Sequence, residues 1–306
     1  MKNDTPNTIK DYTCHIVDIG KFSDDIVGLR LGFEQYAKPY LVGQKPDIKS
    51  GQFAMIQIPN RKDLLLRRAF CIASYDPRQG IFEIVFRVVG EGTAQLATVQ
   101  KGDTLQVLLP LGNGWQLDNL PYKNPNNHPN PSNQNSPYPN NSNPATPNAR
   151  NNQPTTNKDK KNIWLVGGGL GVIPLISLPK EYPQHQYTHI LGFKNASDAS
   201  LTYCFTNPII TTDDGSVGTK GYVTDTIQKL IQQSPKPDLI LACGSTPLLK
   251  ALQNLPCIAQ IPTFVSLEQR MACGLGACMT CTTDIGNQKL RVCKEGPIFD
   301  LQSVQL

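Results

Sequence analysis

Four of the chain's nine cysteines fall between positions 273 and 293, spaced Cys273-x4-Cys278-x2-Cys281-x11-Cys293. Thiols at that density can cross-link, hold a metal or carry electrons. Zinc sites pair their ligands as two C-x2-C knuckles, and only one such pair exists here. A C-x4-C-x2-C run followed by a later cysteine matches the plant-type [2Fe-2S] spacing, which favours iron–sulfur over zinc or free thiols. Gly274, Gly276 and Ala277 leave room for backbone amides to approach the sulfurs of an inorganic core. Disulfides are not expected. The polar N-terminus MKNDTPNTIK carries no apolar export segment, and a cytoplasmic chain keeps its thiols reduced.

Other residues fit nucleotide phosphate. Gly167, Gly168, Gly169 and Gly171 follow the apolar stretch NIWLV and lead into a run that reads as a helix. Glycines there permit a tight turn and let a pyrophosphate approach the amides of a helix N-terminus. The spacing differs from G-x-G-x-x-G, and the next strand ends in GFKN, with Lys194 where a ribose-binding carboxylate would stand. This turn leaves NAD against NADP open. Cys243 and Gly244 close the strand PDLILAC at the sheet edge where open parallel sheets bind ligands, although alone Cys243 reads first as a small buried hydrophobe. Asp214 and Gly215 lie in TTDDGSVGTKG, which alone is a polar turn. Nearer the N-terminus, LLLRRAFCIAS sets Arg67 and Arg68 against apolar strand residues. A strand arginine finds a carboxylate or solvent, or grips a phosphate with its planar fork. RVVGEGT brings Gly92 and Thr93 to a helix start, a second anion site. Two such sites on one barrel suit a dinucleotide pyrophosphate such as that of FAD.

These residues need elements to carry them. A length of 306 residues suits about two domains. The net charge of +5 is spread along the chain, too mild to imply nucleic acid, and no apolar run is long enough to predict a membrane span. FAMIQIP, RRAFCIAS, IFEIVFRVV and TLQVLLP read as short strands, which predicts a small antiparallel barrel over residues 11–110. Residues 121–160 hold 13 Asn and 9 Pro with no Leu, Ile, Val or Phe, a composition expected to be disordered. After them, strands NIWLV, YTHILGFKN and PDLILACGS alternate with helices YVTDTIQKLIQQ and TPLLKALQNL, which predicts a parallel α/β domain. From about residue 262 the regular pattern is expected to stop. The four histidines form no constellation, and no triad or carboxylate dyad is visible. The chemistry is therefore expected to belong to cofactors.

The order of barrel, α/β domain and cysteine segment resembles the ferredoxin–NADP reductase superfamily. Within it, the chain is similar to the family of electron-transfer subunits of NAD-dependent dihydroorotate dehydrogenases. The stretches carrying the likeness include FRVVGEGTAQL, WLVGGGLGVIPL, TDDGSVGTKGYVTD, LILACGSTPLLKAL and MACGLGACMTCTT…RVCKEGPIFD. The resemblance implies an FAD-binding barrel at 1–120, the Asn/Pro insert at 121–160, an NAD-binding α/β domain at 161–261 and a [2Fe-2S] segment at 262–306. It implies that Arg68, Ala69, Phe70, Cys71, Val85, Phe86, Arg87, Gly92 and Thr93 border FAD. Gly167, Gly168, Gly169, Gly171, Asp214, Gly215, Cys243 and Gly244 would border NAD, and Cys273, Cys278, Cys281 and Cys293 would ligate the cluster. It also implies an FMN-containing catalytic partner in a two-plus-two heterotetramer, in pyrimidine biosynthesis. The chain departs from the family pattern at Ala69, which replaces a proline, at Cys71, which replaces a serine, and at CGST for Cys-Gly-Pro. Two other readings stand beside this one: a flavin/iron–sulfur subunit of a sulfite reductase, hydrogenase or transhydrogenase, and a non-enzymatic zinc-binding module.

Overall fold

A computed structural model describes residues 9–33, 45–120 and 160–306. The Asn/Pro-rich stretch lies outside the described residues, apart from its last position. The first unit is a closed antiparallel barrel of β1 (Lys10–Lys21), β2 (Ile26–Phe33), β3 (Phe53–Ile56), β4 (Arg68–Asp76), β5 (Ile81–Arg87) and β6 (Thr104–Leu111), ordered β1-β2-β5-β4-β3-β6. Strand β1 shows the cause. Tyr12, Cys14 and Ile16 recur at every second position and turn inward, so the period-two pattern sets one face into the barrel. Leu29, Leu31, Phe82, Ile84 and Val107 meet them there. Helix α1 (Glu91–Leu96) crosses beyond β5. Its cap is the extended Gly90, two residues earlier than the sequence reading, and the Thr93 hydroxyl accepts the amides of Val89 (2.9 Å) and Gly90 (3.1 Å). Gly92 and Thr93 therefore lie inside the first turn.

The second unit is a seven-stranded sheet. It contains β7 (Asn162–Gly168), β8 (Gln186–Phe193), β9 (Ile209–Thr212), β10 (Thr219–Lys220), β11 (Leu239–Cys243) and β12 (Thr263–Ser266). The hairpin of β13 (Thr282–Ile285) and β14 (Gln288–Arg291) follows, and β15 (Ile298–Asp300) returns to the sheet. The order is β10-β9-β8-β7-β11-β12-β15, parallel except for β15 against β12. Every residue of β11 is buried, as expected for a strand covered on both faces. Helices α2 (Leu178–Glu181), α3 (Val223–Gln233) and α4 (Thr246–Gln253) complete the unit.

Two readings are corrected here. Residues 169–175 after the glycine turn form a 3-10 helix, and the first α-helical turn is α2. Gly169 at φ +55° turns the chain sharply and Pro174 has no amide to donate, so an α-helical ladder cannot run through them. Regular structure also continues past residue 262, because β12 and β15 form one edge of the sheet. Among the described residues no helix is long and apolar enough to cross a membrane.

Barrel and sheet are joined by specific bonds. Trp115 is fully buried; its Nε1 donates to the Pro174 carbonyl (2.9 Å), and its own carbonyl accepts the Tyr182 hydroxyl (2.9 Å). The Ser177 hydroxyl donates to the Ala73 carbonyl (3.1 Å), and the Ser50 amide to Glu181 Oε2 (2.7 Å). Removing Trp115 would leave a cavity at this joint and unpair the Pro174 carbonyl. Trp115→Ala is expected to lower stability by about 3–5 kcal/mol, read from chemical denaturation of the full chain beside the wild type.

Candidate functional site

On the barrel side, the two adjacent arginines separate. Arg67 forks onto Asp11, with Nη1 2.8 Å from Oδ1, while Arg68 pairs with no carboxylate among the described residues. Arg68 donates to the Leu66 carbonyl and lies against the first turn of α1, where a Cβ on Gly92 would come 3.0 Å from its Nε. A guanidinium and the helix start thus converge, as anion binding requires. Phe70 and Phe86 turn into the barrel core with ring centroids 5.3 Å apart, so only their backbone is left for the outer surface. Ala69 and Cys71 face outward at the intervening positions of β4, and Val85 packs at the seam with the sheet. Arg87 is otherwise engaged. Its guanidinium bridges Asp25 and Asp198 (2.7 Å to the latter), tying β5 to the α/β unit.

On the sheet side, Gly167 is in register with Cys243, which brings the turns after β7 and β11 together. A Cβ at Gly171 would lie 2.5 Å from both the Cys243 carbonyl oxygen and the Gly244 Cα, so only glycine permits this approach. Gly168 and Gly244 are covered by Leu248, whereas Gly169 faces open space. Asp214 stands beyond the end of β9, where it accepts from the Ser216 amide (2.9 Å) and hydroxyl (2.6 Å), bonds that hold its carboxyl below the usual range. Gly215 beside it has φ +79°.

Between the two units lies a group that sequence reasoning missed. Glu268, just beyond β12, is electrostatically coupled to Cys71 on the barrel and Cys243 on the sheet. Its side chain is exposed at the surface, yet the protein packed around the carboxyl strips enough solvent from it to raise it above the ordinary value. Burial likewise pushes Cys71 up to about 12, with Glu268 adding to the effect. Cys243 is driven well above an ordinary thiol, by burial first and then by Glu268 and Cys71. The only sequence signal was an acidic residue ending the apolar run TFVSL.

The cysteine loop is built for metal at the level of its backbone. Gly274 and Gly276 take φ +71° and +79°, a region that favours glycine. The amides of Leu275 (3.3 Å) and Cys278 (3.5 Å) donate to Cys273 Sγ, and that of Cys293 to Cys281 Sγ (3.4 Å). Cys278 hydrogen-bonds Cys273, Cys293 hydrogen-bonds Cys281, and Cys273 is within electrostatic reach of Cys293. Among the described residues the thiols stand as two neighbouring pairs and not as a closed set of three or more ligands. Sulfur donors, amides aimed at sulfur and a glycine-lined wrap fit an iron–sulfur core. Cys278 is exposed at the rim, and the Thr280 hydroxyl and amide hold its thiol down at about 6. Burial pushes Cys293 up to about 12.

A barrel joined to a parallel sheet that carries a cysteine loop is the fold of the ferredoxin–NADP reductase type. In solved structures the same fold occurs in an NADH-dependent reduced ferredoxin–NADP oxidoreductase, with a TM-score of 0.69 and 24% identity over 95% of this chain and 89% of that one. It also occurs in a ferredoxin NADP+ reductase from Neisseria gonorrhoeae, with a TM-score of 0.54 and 13% identity over 81% and 92%. Residues 268–305 match the family model for the iron–sulfur cluster binding domain of dihydroorotate dehydrogenase B. The dihydroorotate dehydrogenase B (NAD(+)) electron transfer subunit of Listeria welshimeri is 33% identical, covering 85% of this chain and 89% of its own length. That of Geobacillus kaustophilus is 34% identical over 84% and 86%. The chain belongs to this family of electron transfer subunits.

The thiols differ enough to be told apart chemically. With its thiol held down by Thr280 and exposed at the rim, Cys278 should be the first of the nine that iodoacetamide labels in metal-free protein at pH 7. Cys71 should remain a thiol and resist labelling up to pH 9, as should the fully buried Cys243. Peptide mass spectrometry along a labelling time course reads the order.

Proposed function

We propose that this chain is the electron-transfer subunit of an NAD-dependent dihydroorotate dehydrogenase of pyrimidine biosynthesis, with FAD, a [2Fe-2S] cluster and NAD as its cofactors. It works with a catalytic subunit that carries FMN and oxidises dihydroorotate, in a two-plus-two heterotetramer in the cytoplasm. A cluster moves electrons singly, nicotinamide takes a hydride, and a bound flavin joins the two kinds of transfer.

The chain's own residues supply grip, orientation and proximity. Arg68 and the first turn of α1, with Gly92 and Thr93, hold the FAD pyrophosphate. The backbone of Ala69, Phe70, Cys71, Val85 and Phe86 lines its ring, while Arg87 secures the strand that presents it. Gly167, Gly168, Gly169, Gly171, Gly244, Asp214 and Gly215 border the nicotinamide nucleotide, and Cys243 backs the same edge. Cys273, Cys278, Cys281 and Cys293 ligate the cluster. The observation that carries this reading is the seat of the cysteine loop on the barrel. A Cβ on Gly274 would come 2.8 Å from Met55 Cγ and 3.1 Å from Leu111 Cδ1, on β3 and β6. Strand β3 pairs directly with β4, with Phe53 opposite Cys71 and Ile56 opposite Arg68. The cysteine loop and the strand read as the flavin's are thus one strand apart, which supports electron transfer between them.

The full chain should reduce artificial acceptors from NADH and should not oxidise dihydroorotate without its partner. Cys278→Ser is expected to keep FAD and most NADH-dependent acceptor reduction, while transfer to or from the partner falls by about 10- to 100-fold, the scale seen for altered metal surroundings. Anaerobic absorption spectra and steady-state assays of the wild type and variant read both. Dihydroorotate oxidation by the chain alone, or a colourless zinc-containing preparation, would sink the proposal.

A further inference from the structure

Arg291, the last residue of β14, makes more directional bonds than any surface role requires. Its Nη1 donates to the Gly276 carbonyl (2.8 Å), midway along the loop between Cys273 and Cys278. Its Nε (3.0 Å) and backbone amide (2.8 Å) both reach Glu295 Oε2, and its Nη2 closes the fork on Oε1. The pair is largely shielded, with 25% of the Arg291 side chain and 18% of that of Glu295 exposed. The barrel holds the far side, where the Asn113 side chain donates to the carbonyls of Lys294 (3.2 Å) and Glu295 (3.0 Å). Arg291 also lies within electrostatic reach of Cys293 and Cys281. One guanidinium therefore links both halves of the cysteine set.

We propose that Arg291 is a positioning residue of the cluster site. Through Gly276 it fixes the loop that carries Cys273 and Cys278, and its charge beside Cys281 and Cys293 raises the potential at which the site accepts an electron. The inference rests on the reading that these cysteines hold a [2Fe-2S] cluster. Adding one electron makes the site more negative, so a fixed cation nearby favours the reduced form. Glu295 orients the guanidinium and partly offsets its charge. The two partners therefore act with opposite sign.

That opposition is what the experiment reads. Full-length chain, purified without oxygen, is titrated electrochemically while the reduced cluster is followed by electron paramagnetic resonance, with iron and sulfide content measured alongside. Arg291→Gln leaves Glu295 unbalanced and should lower the reduced-to-oxidised ratio at fixed potential about tenfold, a fall of about 59 mV for one electron. Glu295→Gln should move the ratio the other way, and Arg291→Lys, which keeps the charge but loses the fork, should fall between Arg291→Gln and wild type. Shifts of the same sign in Arg291→Gln and Glu295→Gln overturn the proposal, as do unchanged potentials. If Arg291→Gln loses its cluster, Glu295→Gln and Arg291→Lys decide, and wild-type potentials in both overturn it. A wild-type chain with no reducible cluster overturns the cluster reading itself, and this inference with it.

Discussion

Strand β3 is buried on both of its faces, and the placement of every site depends on that. Ala54 and Ile56 point into the barrel core, while Phe53 and Met55 point out into a second core. That second core is shared with Trp164 and Val166 of the sheet and with Cys281, Val292 and Cys293 of the cysteine segment. This four-residue strand thus joins all three parts of the molecule, two of its side chains facing the barrel core and two the shared one. Apolar burial is not directional, but a strand used on both faces cannot slip by one residue without exchanging its two sets of side chains. The register of Phe53 opposite Cys71 consequently fixes how β4, the strand proposed to face the flavin, stands relative to the cysteine loop.

Much of this was legible in the residues, for local reasons. The alternation of Tyr12, Cys14 and Ile16 marks a half-buried strand, the run LILAC marks a fully buried one, and the cysteine spacing encodes a loop on its own scale. What was hidden depends on distant partners. Nothing around Arg87 in the sequence announces that the fold brings Asp25 and Asp198 to its two ends. Glu268 has no motif around it and matters only because β12 ends beside Cys243, with the barrel's Cys71 opposite. The glycine turn promised a helix, but Gly169 and Pro174 together impose a tighter winding that glycine counting alone does not reveal.

The two departures at the barrel surface carry different weight. Cys71 sits where a serine would offer a hydroxyl, and burial keeps its sulfur protonated, so it contributes a weak donor and a small apolar surface. Ala69 keeps a backbone amide that proline lacks, on a strand paired through Met55 opposite Ala69. Neither change disturbs the barrel order, since both side chains point away from its core. In the proposed flavin site the ring would meet mainly main chain, which accounts for how the fold absorbs these substitutions.

The antiparallel strand β15 has one more meaning. It leaves the cysteine segment and returns to pair with β12, the strand from which that segment departs, with Val265 opposite Phe299. The redox loop is therefore an excursion between two neighbouring strands of the nucleotide sheet and not a tail hung from its end. Such an excursion is a graft with both ends sutured into the host. Its interior can diverge to suit one electron-exchanging surface after another, while the host sheet, closed across the suture, keeps its hydride chemistry unchanged.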